Sequence, residues 1–151
     1  MSDITTDLDA QQKQEIRRAL VESARKLLGA TYEYGAEWVN YNIIPSSIDC
    51  SELVEGVYAL QKLKMPDGSQ NQFNYTMPVA SPQIGDLAFF GRSGRTNEIY
   101  HVGMVFDKTM IIEARAHQPE LKESGKVILR PIWNWMNYKN FAGFKSHPRL
   151  I

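Results

Sequence analysis

The stretch 46-SSIDCSELVEGVYAL-60 decides how the rest of the chain is read, because it holds the only cysteine, Cys50, where a polar loop turns into a helix. From Cys50 to about Leu63, the side chains of Leu53, Val54, Val57 and Leu60 make an apolar stripe at helical spacing, while Glu52, Glu55 and Gln61 face elsewhere. Asp49 or Ser47 is placed to cap the start. Cys50 lies on the stripe with Leu53 and Val54, and a lone free cysteine there is most simply packing. Its place in the first turn opens a second reading. Unpaired backbone N–H groups and the positive end of the helix dipole favour a thiolate, and the Cys50 N–H is positioned to donate to an oxyanion.

Working outward, residues 9 to 28 predict a helix, with Ile16, Leu20, Ala24, Leu27 and Leu28 at helical spacing and Gly29 as its stop. Arg17, Arg18 and Lys26 read as its solvated face. Met65 to Gln83 is rich in Pro, Gly, Ser and Asn and reads as loop, with a short helix around Gln70 to Phe73. The pattern then changes to strands: Asp86 to Phe90, Tyr100 to Phe106, Met110 to Ala116, Lys126 to Ile132 and Phe141 to Lys145. Helices first and strands afterwards predict an α+β fold, amino-terminal helices packed on an antiparallel sheet with the cysteine helix central.

Composition sets the outer bounds. A chain of 151 residues with 43% hydrophobic content suits one domain, expected over 9–151 behind a flexible segment 1–8. Seventeen basic residues balance seventeen acidic ones, so no general attraction to nucleic acid or anionic lipid is expected. One cysteine excludes an internal disulfide. The start, MSDITTDLDAQQKQ, is polar and lacks the basic and apolar regions of a signal peptide. Nothing approaches the ~20 continuous apolar residues of a membrane span.

A reactive Cys50 needs a base, and three histidines are available. His147 lies in the terminal SHPRLI and reads as a surface tail; His117, before Gln118 and Pro119, ends a strand and also reads as surface. His101 opens an alternating strand, sharing a face with Gly103 and Val105, and is preferred. Glu113, twelve residues on, is the candidate to orient its imidazole. A two-residue turn at Asp107 and Lys108 would set His101 opposite Ala114 and put Glu113 on the wrong face; a three-residue or bulged turn centred on Asp107 sets it opposite Glu113. The plain alternative is a solvated Glu113 beside Arg115. A zinc site of His101, Glu113 and His117 lacks the close paired spacing of common sites, and GRSGR is not a serine-hydrolase elbow, so neither metal nor cofactor is expected.

The blocks IDCSELVEGVY, PQIGDLAFFG and HVGMVFDKTMIIEA resemble, in order and spacing, the Asp-Cys-Ser, Gly-Asp-Leu and His-Val-Gly blocks of the NlpC-type cell-wall peptidases, a papain-like family. ATYEYGAEW is similar to that family's Tyr-x-Trp-Gly-Gly block, and the likeness covers about residues 13 to 147. It implies hydrolysis of stem peptides of bacterial peptidoglycan, at the bond between D-glutamate and a diamino acid. Cys50 matches the nucleophile, His101 the base and Glu113 the third position, usually histidine. Tyr32 matches a tyrosine lining the site near the oxyanion; Asp49 and Ser51 match residues that shape the substrate pocket. Tyr34 replaces Trp, Ala36 the second Gly, Glu52 a Gly, and Ile84 stands where Pro is usual.

A carboxylate at the third position keeps the orienting role and is expected to strengthen its electrostatics. It also resembles the CHAP amidases, which makes cleavage of the sugar–peptide link the alternative activity, and a non-catalytic wall-binding or assembly module the competing class. The minimal architecture leads to the expectation of a phage lysis or tail-associated protein, made in the cytoplasm and meeting the wall after lysis-linked release or delivery by a virion, with a possible tail or other assembly partner.

Overall fold

The computed structural model describes residues 6–115 and 125–151. Most of the expected flexible segment, the last residue of the expected strand ending at Ala116, and His117 lie outside the described residues.

Helix α1 spans Ala10–Arg25 and starts with a capping box: the Gln12 N–H donates to the Asp9 carboxylate at 2.8 Å and the Asp9 N–H to the Gln12 amide oxygen at 2.9 Å. It ends at Arg25, short of the predicted stop at Gly29, and the chain turns through residues 26–29. Arg17, expected in solvent, is instead buried, its guanidinium donating to Asp86 Oδ1 at 2.7 Å, to the carbonyls of Ile84 and Leu150 and to Ser146 Oγ. Leu20 and Ala24 share that buried face, so Arg17 lies on the packed stripe, where a long side chain is tolerated only because an opposite charge meets it.

The strands are β1 (Thr31–Tyr32), β2 (Ser47–Ile48), β3 (Met77–Pro78), β4 (Leu87–Gly91), β5 (Ile99–Val105), β6 (Met110–Arg115), β7 (Lys126–Pro131) and β8 (Phe141–Ser146). They form one sheet in the order β2-β1-β7-β6-β5-β4-β8-β3. The sheet is mixed rather than purely antiparallel, because β1 pairs β2 in parallel, Tyr32 opposite Ile48. The loop between them acts as a crossover and returns the chain in the same direction. Its consequence is functional: Tyr32 is brought beside the residues that lead into helix α2 (Cys50–Leu60).

Helix α2 and α1 cover one face of the sheet, where Leu53, Val54 and Val57 meet Leu87, Phe89, Val102, Met104 and Ile112 in the main core. Helix α3 (Ser69–Tyr75) forms where a short helix was expected. The opposite face holds a smaller cluster of Ala88, Phe90, Val105, Ile111 and Phe144 around Trp135, which comes from α4 (Ile132–Asn137). That helix went unread in the sequence, and its buried tryptophan turns out to matter for the site. Among the described residues no helix is long and apolar enough to cross a membrane.

The β5–β6 turn is a three-residue turn, centred one residue later than expected. Phe106 N–H donates to the Met110 carbonyl at 2.9 Å, and the ladder pairs Met104 with Ile112 and Val105 with Ile111. Asp107 fixes it by accepting from the N–H groups of Thr109 and Met110, both at 2.8 Å. Continued along the strands, this register points His101 at Arg115. Since side chains alternate with period two, Glu113 stays on the face of His101 but one step away on the diagonal.

Candidate active site

Asp49 is extended and caps α2 at its first residue: its Oδ1 accepts from the Cys50 N–H at 2.6 Å, and its Oδ2 from the Gly35 N–H at 2.7 Å. The donor expected for an oxyanion is therefore occupied by Asp49 in the resting structure. Cys50 is buried and borders a cavity of about 480 Å³ that is also lined by Tyr32, Tyr34, His101 and Arg130. Burial, reinforced by the Asp49 charge, pushes its thiol up to about 12, although the N–H groups of Val102 and Ser51 act in the opposite sense. Burial thus works against the thiolate that the helix start favours for Cys50. Its approach to Val102 still places the sulfur beside the strand position that follows His101.

His101 and Glu113 meet across the diagonal, His101 Nε2 to Glu113 Oε1 at 2.8 Å. An ionised carboxylate only accepts, so Nε2 carries a proton, and in the neutral ring Nδ1 has the lone pair a base requires. The imidazole stacks on Trp135, ring centres 5.4 Å apart. Glu113 is fully buried, not a solvated strand residue, and also accepts from Arg130 Nε at 2.7 Å, Arg130 Nη2 at 2.9 Å and Trp135 Nε1 at 3.0 Å. Burial alone would raise its carboxyl, but His101 and Arg130 outweigh it and hold it below the usual glutamate range. The carboxylate is therefore shared with a guanidinium, which offsets the stronger pull on His101 expected from exchanging histidine for glutamate.

Burial, followed by the Asp49 charge, pushes the Tyr32 hydroxyl up to about 12, so it remains a donor at neutral pH. Tyr34 is 88% exposed at the rim, between the Cys50 cavity and a second one of about 510 Å³ bordered by Ser51, Glu52, Asp67 and Ser69. Ser51 is buried, its carbonyl accepting from Gln72 Nε2 at 2.9 Å. Among the described residues, the grouping close enough to share a metal ion is Glu52, Glu55 and Asp67, with ligand atoms within 4.8 Å of one another. Burial and a hydrogen bond with Glu55 push Glu52 up to about 8. His147 is not on a surface tail. It is buried and stacked on Tyr58, its ring bonded to the Lys64 carbonyl at 2.7 Å and accepting from the Arg149 N–H at 3.0 Å.

Residues 29–134 match the NlpC/P60 family. The chain belongs to that family. Among solved structures it is similar to a lipoprotein-like NLP/P60 protein of Staphylococcus aureus, with 20% identity and TM-score 0.68 over 97% of this chain and 45% of that one. It is similar to the NlpC/p60 domain of the peptidoglycan hydrolase SagA, with 24% identity and TM-score 0.62 over 86% of this chain and 97% of that one. The Resuscitation Promoting Factor Interacting protein RipA, in a structure mutated at a cysteine, shares 18% identity and TM-score 0.71 over 97% of this chain and 68% of its own. At these identities the likeness shows the fold. This chain spans less than half of the Staphylococcus protein, and no curated protein sequence matches it.

For an NlpC/P60 member, the Glu52 departure acquires a local explanation. Glu52 turns toward the preceding loop, where its Oε1 accepts from the Trp38 N–H at 3.1 Å. Trp38 in turn packs against Gly56, where an added Cβ would lie 2.0 Å from the indole. Sequence reasoning missed Arg130, Trp135, Tyr100 and Tyr138, although Arg130, Tyr100 and Tyr138 line the Cys50 cavity. Aromatic residues at positions 133, 135 and 138, just before the closing strand, were the available signal.

Proposed function

We propose that the protein is a cysteine peptidase that cuts stem peptides of bacterial peptidoglycan, at the bond between D-glutamate and the diamino acid. The observation that carries this reading is the buried Glu113 bonded to His101 Nε2, which leaves Nδ1 uncommitted to that carboxylate on a residue lining the same cavity as Cys50. Membership of the NlpC/P60 family supports the substrate class, and so does the fold shared with the SagA domain. RipA has been solved with a cysteine and with a glutamate mutated, the two residue types that flank His101 here.

In this reading the substrate carbonyl enters beside Cys50 and His101 Nδ1 takes the thiol proton as the sulfur attacks. The Tyr32 hydroxyl donates to the developing oxyanion, joined by the Cys50 N–H once Asp49 releases it. His101 then protonates the leaving amine, the C–N bond breaks, and water activated by the same imidazole releases the acyl group and restores the thiol. Tyr34, Asp49 and Ser51 border the substrate. The acidic third residue favours a second reading, amidase cleavage between sugar and peptide. Mass spectrometry of fragments from purified peptidoglycan separates the two: the peptidase leaves a shortened stem on the muramic acid, whereas the amidase frees the whole stem. Intact material after exhaustive digestion contradicts both and favours a binding module.

A further inference from the structure

Arg130 borders the cavity shared by Cys50 and His101, yet its guanidinium is committed to Glu113. The two bonds form a fork, Nε to Oε2 and Nη2 to Oε1, on the fully buried Glu113 carboxylate. The guanidinium lies 5.5 Å from the centre of the Phe90 ring and 5.1 Å from that of Trp135. The backbone adds to this fixation, because Arg130 stands opposite Ile111 in the β6–β7 ladder and so shares a face with Glu113. Oε1 of Glu113 is consequently divided between Arg130 and His101.

A buried carboxylate whose only partner was an imidazole would draw that ring toward its imidazolium form, since no other charge would compensate it. A general base in that state has no lone pair to offer. Arg130 removes the conflict: the carboxylate is neutralised before the imidazole is considered, so the His101 bond orients the ring without requiring its charge. We propose that Arg130 is a positioning residue that neutralises Glu113, so that His101 rests as an uncharged base and takes up a proton only when Cys50 gives one up. This deepens the peptidase reading of the site and rests on it.

Other charged and titratable groups line the cavity with His101. Cys50 and Asp49 come from the start of α2, Tyr32 from β1, Tyr100 from its own strand, Arg115 from β6 and Tyr138 from beyond α4. Glu113 is the one whose hydrogen bond to the ring is established.

The test is an NMR titration of the His101 imidazole in the full chain carrying Cys50→Ala, with the signal assigned by its loss in His101→Gln. Because the nucleophile is absent, the result stands apart from whether the protein hydrolyses peptidoglycan. Adding Arg130→Met is expected to tighten proton binding by His101 about tenfold or more, and Arg130→Lys, which keeps the charge, to change it less than about threefold. Where Arg130→Met fails to fold, the doubly neutral Glu113→Gln with Arg130→Met leaves no buried unpaired charge and decides instead. Removing both members of a neutral pair is expected to leave the midpoint within about threefold of the parent. The proposal is overturned by an unchanged midpoint in folded Arg130→Met, or by a fall of about tenfold or more in the double variant.

Discussion

The sulfur of Cys50 sits where a helix dipole favours a thiolate by about 0.3–1 kcal/mol, whereas burial and the neighbouring Asp49 carboxylate favour the thiol. The rise from 9.0 to about 12 corresponds to roughly 4 kcal/mol, so burial wins. In the peptidase reading proposed above, Cys50 therefore starts as a thiol whose proton passes to His101. Iodoacetamide is expected to label Cys50 more slowly than a free thiol at neutral pH, with a rate that keeps climbing as the solution becomes alkaline. Asp49→Asn removes the charge that raises the thiol and is expected to accelerate labelling. Rapid labelling of the wild type at neutral pH, or no gain in Asp49→Asn, would show that the resting group is already ionised. Cys50 was legible as a candidate from its own stretch of sequence. Its resting charge was not, because that depends on the depth of burial and on how Asp49 turns its carboxylate.

At the scale of elements, the site is a hairpin backed by a helix. Gly103 shares a face with His101, and Trp135 fills the space its missing side chain leaves: an added Cβ would stand 2.8 Å from the indole and 2.7 Å from Ile111. Gly103→Ala should displace Trp135, loosening both the stack under His101 and the indole bond to Glu113. The expected loss is about 1–3 kcal/mol of stability, with kcat falling more than KM, measured by thermal melts and steady-state kinetics. A folded Gly103→Ala enzyme with unchanged kcat would remove Trp135 from the set of positioning groups. The alternation of β5 and β6 made the shared face of His101 and Glu113 readable, subject to the turn. Asp107 delivered an allowed parity through a turn centred one residue later. Arg130 and Trp135 were unreadable for a different reason. Their contact with Glu113 depends on β7 pairing with β6 and on α4 folding back over the sheet, neither of which leaves a local periodicity.

Across the whole molecule, buried polar residues tie the ends of the chain to the core. Arg17 joins α1 to Asp86 at the entrance to β4 and to the carboxy-terminal turn, and His147 stacks on α2 from the end of β8. Both were taken for surface groups, since a charged residue on an amphipathic helix and a histidine in a polar tail usually are. Burial, with the Arg149 charge, holds His147 below its ordinary value and outweighs its bond to Lys64. The unfolded chain therefore binds that proton more readily, and stability present above about pH 6.5 is lost as the pH falls through the histidine range. Glu113 is also depressed, so its contribution is present above about pH 4.3 and is lost at more acidic pH. Melting temperature followed against pH should fall in two stages, and His147→Gln should flatten the first; a variant profile parallel to the wild type would exclude His147 as its source. The most direct measurement is the release of new amino groups from purified peptidoglycan by wild type, Cys50→Ala and His101→Ala, side by side and each verified as folded. Release by the wild type alone is predicted; equal release by Cys50→Ala, or none from any of the three, would contradict a peptidase centred on Cys50.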